Sequence, residues 1–220
     1  MYRSRVLYSV VVAGLLAFSS AAQAAVYNFG SLLSTDCFNA PNSFASNPFA
    51  QLEATNSGGG VWTFKLNVNN NLFSSFGNSA FIGSMSFDFT PDPGVSKPPT
   101  TFLGSNVSGV TSVKSTSGTG LSGLTDIDFG TAFGKGSGNR LSQNDWVKWS
   151  VSGLGSSSLT NMYVHVQGIQ INKYCNSGDC SAKYTPVVSA VPEPETYAML
   201  LAGLGLIGFS ARRRKNNTYD

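Results

Sequence analysis

Val61-Trp62-Thr63-Phe64-Lys65-Leu66-Asn67-Val68 decides the fold class. In an extended chain alternate side chains leave on opposite faces, so Trp62, Phe64, Leu66 and Val68 point one way. Thr63, Lys65 and Asn67 point to water. Asn69-Asn70-Asn71 then turns the chain.

The same alternation recurs outward from this strand. Phe81 to Phe89 places Phe81, Met85, Phe87 and Phe89 on one face, with Gly83 between them and Asp88 opposite. Thr90-Pro91-Asp92-Pro93-Gly94 ends that strand, and Lys97-Pro98-Pro99 continues the loop, because paired prolines cannot donate to a ladder. Upstream, Val26 to Leu33 starts the first strand and Cys37 to Pro48 is loop. Asn47-Pro48 is positioned to open one helical turn over Phe49 and Leu52.

Downstream, Gly104 to Gly123 is rich in Ser, Thr, Gly and Val, an edge strand or a mobile loop. Leu124 to Phe129 reads as a strand, followed by a flexible Gly134-Lys135-Gly136-Ser137-Gly138 turn. Val147, Trp149 and Val151 share a face, as do Met162, Val164 and Val166. The phase slips at Gly168, so that Ile169 and Ile171 take over, as a β-bulge requires. Helical periodicity is nearly absent. The expectation is an all-β, antiparallel, jelly-roll-like β-sandwich over residues 25–190, with Trp62, Phe64, Phe87 and Trp149 in its core.

The chain has 14 Lys and Arg against 11 Asp and Glu, with a pI near 8.8. Arg3, Arg5 and Arg212 to Lys215 supply the excess. Between Ala25 and Ala190 eight basic residues face eight acidic ones. No basic surface remains to attract nucleic acid.

Candidate chemistries are sparse. His165 is the only histidine and falls on the polar face of its strand, and no G-x-S-x-G elbow occurs. Asp126 and Asp128 share a strand face, which suits an acid pair or a cation, but more commonly marks the wet side of a strand. The later acidic ligand of an EF-hand is missing. Gly134-Lys135-Gly136 lacks the first glycine and the Ser or Thr of a phosphate loop. No metal or cofactor is expected, and the body is read as non-catalytic.

Cys175 and Cys180 flank a turn and are candidate disulfide residues. A 175–180 bridge closes the tip after the last strand, whereas a bridge from Cys37 to either one ties the first loop to the last. All three pairings are open.

Both termini are addresses. Arg3 and Arg5 precede an apolar core from Val6 to Phe18, and Ala22-Gln23-Ala24 forms an A-x-A cleavage site before Ala25. Residues 1–24 are thus a signal helix. At the other end, Val191-Pro192-Glu193-Pro194-Glu195 is followed by an uncharged apolar run from Thr196 to Ala211. Two prolines hold the first part extended, as a processing enzyme's cleft requires. The run is shorter than the roughly 20 residues of an average span, but suits a single transmembrane helix where the bilayer thins or flanking residues snorkel. Arg212, Arg213, Arg214 and Lys215 then stop the segment on the cytoplasmic side.

This three-part tail, residues 191–215, resembles that of PEP-CTERM proteins. Val164 to Ile169 and Asn139-Arg140-Leu141 also resemble the later part of bodies found in that family. The resemblance implies that Pro192, Glu193 and Pro194 are the sorting motif, read by exosortase, an integral-membrane cysteine transpeptidase-like enzyme. It implies transient anchoring in the inner membrane, delivery to the surface or matrix, and association with exopolysaccharide and biofilm. A carbohydrate-binding module or polysaccharide-active enzyme on the same sandwich is the alternative. Its aromatic candidates are Trp62, Trp146 and Trp149, of which only Trp146 faces outward by phase.

Overall fold

The computed structural model describes residues 23–37, 44, 47–69, 73–117, 127–134, 136, 139–169, 180–187 and 203–204. The strands are β1 (Gln23–Thr35), β2 (Ala50–Asn56), β3 (Trp62–Val68), β4 (Phe81–Thr90), β5 (Thr100–Ser105), β6 (Lys114–Ser117), β7 (Phe129–Ala132), β8 (Trp146–Val151), β9 (Ser158–Ile169) and β10 (Cys180–Val187). Among the described residues all pairings are antiparallel, and a 3-10 turn spans Ser74–Phe76.

Hydrogen bonding runs through one ten-stranded sheet in the order β5-β8-β3-β2-β1-β10-β9-β4-β7-β6. It replaces the two separate sheets expected, and the reason lies in β1. Gln23 to Phe29 pair with β2, whereas Asn28 to Thr35 pair with β10, with register shifts at Phe29/Ser31 and Leu32/Ser34. One long, irregular strand thereby passes from one layer to the other. The halves fold face to face: Phe64 on β3 meets Phe87 on β4 at 4.8 Å, and Trp62 meets Phe89 at 5.5 Å. The connection from β5 to β6 joins the two edges, burying Val110 and Val113 across the seam. The sheet is nearly a barrel.

The defining strand behaves as its alternation demands. Trp62, Phe64, Leu66 and Val68 are buried, as are Phe87 and Trp149. Burying one such side chain is worth about 1.5–3 kcal/mol. A second aromatic group closes the other end of the core, where Tyr184 packs on Phe49 at 4.9 Å and Phe76 at 5.5 Å.

Several expectations are corrected. Ala50–Asn56 is a strand in place of a helical turn: Ala50, Leu52 and Ala54 face inward, and the segment pairs with both β1 and β3. Two ladders outweigh the helix-opening tendency of Pro48. Thr100–Ser105 and Cys180–Val187 are strands where none was assigned. Among the described residues the strand expected at 124–129 begins at Phe129. Phe81 stays buried but outside the main core cluster: pairing with β9 shifts between Ile82 and Ser84, so Ile82 turns inward and Phe81 packs beneath Arg140, 4.5 Å from its ring. The slip expected at Gly168 is present, with a register shift opposite Cys180/Ala182 and a φ of 65°. A side chain there would also strike the Ser79 carbonyl at 2.6 Å. Ile171 lies outside the described residues.

Among the described residues no helix is long and apolar enough to cross a membrane. The expected signal helix lies outside them apart from Gln23 and Ala24, which extend β1. The expected span at 196–211 also lies outside, apart from Gly203 and Leu204, which are helical.

Candidate functional sites

The tail is presented by β10. That strand is interior to the sheet, between β1 and β9, and ends at Val187. Pro192, Glu193, Pro194 and the basic stop Arg212, Arg213, Arg214 and Lys215 lie outside the described residues. The start of β10 is covalently fixed. Thr35 pairs with Ala182, and continuing this register places Cys37 opposite Cys180 at a Cα separation of 5.4 Å, where the two form a disulfide. The local 175–180 closure is thereby corrected: the Cys180 sulfur belongs to Cys37, and Cys175 lies outside the described residues. Asp36 reinforces the junction by accepting from the Ser181 amide and hydroxyl. Asp36, Cys37 and Cys180 have ligand atoms within 4.8 Å of one another, yet the disulfide consumes both thiols that a metal would need.

The acidic residues near the end of β4 have local tasks. Asp88 accepts from Thr160 and Asn161, each at 3.0 Å, and Asp92 accepts from the Gly94 amide at 2.7 Å. Asp128 accepts from the Phe89 amide at 2.6 Å. Burial pushes the Asp128 carboxyl above its ordinary range against the opposing effect of that amide, and Asp92 and Asp88 add to the upward shift. Asp126, its expected partner, lies outside the described residues. His165 lies on the outward side of β9, with Ser84 and Lys183 as its cross-strand neighbours.

Trp146 faces outward, as its phase requires, while Trp62 and Trp149 are core. Its backbone is clamped by the β5 end: its amide donates to Asn106 Oδ1 at 2.6 Å, and its carbonyl accepts from Ser105 Oγ at 2.8 Å. The indole lies over Gly104, whose φ of 151° is one that other residues rarely adopt; a Cβ there would sit at ordinary contact distance, 3.4 Å, from the ring. Lys65 places its ammonium 5.9 Å from the ring centroid and pairs with Glu53 at 3.8 Å. Asn67 donates to Glu53 at 3.2 Å. Sequence phase placed Trp146 correctly, but its clamp depends on β5, most of which had no assignment from sequence.

The fold and tail together define an all-β body carried on a C-terminal sorting segment. A family model, the PEP-CTERM protein-sorting motif, matches residues 190–215. The chain therefore carries that motif, which marks an exported protein sorted by exosortase through a membrane-anchored precursor. No curated protein and no solved structure matches it.

Proposed function

We propose that this chain is a non-catalytic surface or extracellular-matrix protein, released from its membrane anchor by exosortase and retained with exopolysaccharide. The observation that carries the reading is the sorting motif, which begins three positions after the last residue of β10. The exported unit is residues 25–190, the signal peptide residues 1–24, and the anchor residues 191–215. Cleavage near Pro192-Glu193-Pro194 frees the body outward, and Arg212 to Lys215 keep the remnant on the cytoplasmic side. Among the described residues most aromatic side chains are core, Trp146 apart, and the carboxylates near the end of β4 serve local hydrogen bonds, which fits a structural role.

The experiment places one tag before Ala190 and another after Lys215, in cells with and without exosortase. With the enzyme, the first tag should leave the membrane while the second stays. Replacing Pro192 and Pro194 by alanine should preserve anchoring and slow release. Both tags remaining on one membrane-bound polypeptide in both strains would refute processing and leave the tail as an anchor.

A further inference from the structure

We propose that the outward face of β3 and β8 around Trp146 binds an anionic polysaccharide whose sugars carry carboxylates. This inference deepens the matrix reading above and rests on it. Trp146 supplies a partly exposed indole held against rigid strands, the arrangement needed to stack on the C–H face of a sugar ring. The charges around it point to the sign of the ligand. Lys65 and Lys148 are direct cross-strand partners, a like-charge pairing that costs sheet stability. Glu53 relieves Lys65, but among the described residues no carboxylate lies within ion-pair reach of exposed Lys148.

Lys65 lies against the indole and is paired with Glu53, Lys148 stands two positions along the same strand face, and a sugar carboxylate seated by Lys148 would complete the balance. The neighbouring side-chain amides continue the polar surface, with Asn67 on Glu53 and Gln51 donating to Asn28 at 3.0 Å. A generic polyanion is a poorer fit. The body carries as many acidic as basic residues, so it has no broad positive field, and recognition depends on the ring and two local charges.

The test uses the protein as released by exosortase-bearing cells, or the full chain in detergent if release fails. Binding is therefore measured whatever happens to the tail. Polygalacturonate, neutral dextran and polyphosphate are titrated while tryptophan emission and sedimentation are followed. Polygalacturonate should bind with a change in emission, and dextran and polyphosphate at least about tenfold more weakly. Trp146→Ala should weaken polygalacturonate binding about tenfold or more. Lys148→Gln, at an exposed position that leaves packing intact, should weaken it several-fold and reduce its salt dependence. Circular dichroism of each variant separates lost binding from lost fold. Absent polygalacturonate binding, equal binding of polyphosphate, or unchanged affinity in folded Lys148→Gln would each overturn the proposal.

Discussion

Replacing Cys37 and Cys180 together by alanine should destabilise the exported body without changing its native sheet. The bridge closes a sequence separation of 143. On a chain-entropy account, a closed loop of that length removes about 17 cal/mol/K from the unfolded ensemble, or about 5 kcal/mol at 25 °C. Measured losses commonly run lower, about 2–4 kcal/mol. With a urea dependence of about 2 kcal/mol/M, the midpoint should fall by about 1–2 M. The loss should be confined to stability, because β1 and β10 remain paired from Asn28↔Val187 to Thr35↔Ala182. The assay is urea unfolding followed by tryptophan emission, on oxidised wild type, reduced wild type and the double variant. Non-reducing peptide mapping of secreted protein should recover Cys37 linked to Cys180. A Cys175–Cys180 peptide, or identical midpoints for all three samples, would refute the register that brings the first strand's end to the last strand's start.

Phe87 is fully buried and touches rings from both halves of the sheet, Phe64 at 4.8 Å and Phe129 at 5.4 Å. Phe87→Ala should cost about 3–5 kcal/mol, and an unchanged urea midpoint would mean the two halves do not meet there. The raised Asp128 carboxyl makes the native chain hold that proton more tightly than the unfolded one. Its penalty is thus present at neutral pH and fades as pH falls through the raised value towards 3.8. Asp128→Asn keeps an oxygen for the Phe89 amide, so it should raise the neutral-pH midpoint and remove this part of the gain seen on acidification; equal pH profiles would contradict it.

What the sequence displayed and what it concealed differ by physical cause. Trp62 to Val68 was legible because large apolar and polar side chains alternate without interruption. The Gly168 slip was legible because the apolar phase changes beside a residue that tolerates positive φ. By contrast, β2 builds its inward row from Ala50, Leu52 and Ala54, and two small residues of low strand propensity blur the pattern. In β10 the inward row is Ala182 and Tyr184 before Pro186, equally weak locally. Both strands owe their form to neighbours on each side. Which of the three open cysteine pairings forms was illegible for a related reason: Cys37 and Cys180 meet only through the β1–β10 register, which no local spacing encodes. Trp146 was readable as outward from phase alone, but the Lys65–Lys148 juxtaposition required the β3–β8 register.

The ladders of β1 and β10 show how the two proposed cuts could be made without disturbing the body. Gln23 and Ala24 extend β1 against Asn56 and Thr55, so the proposed cleavage before Ala25 would remove two rungs at the end of the β1–β2 ladder. Ala25↔Ala54 and the buried rungs beyond it persist. At the other terminus β10 is an interior strand, flanked by β1 and β9 and fixed at its start by Cys180. A cut near Pro192-Glu193-Pro194 falls beyond Val187 and leaves every one of its rungs intact. An edge strand leading into the tail would have been free to peel towards the membrane or the protease, exposing unpaired backbone. Placing the exit on an interior strand protects the folded part, and any cut in the proline-bearing sequence beyond Val187 leaves the ladders of β10 untouched.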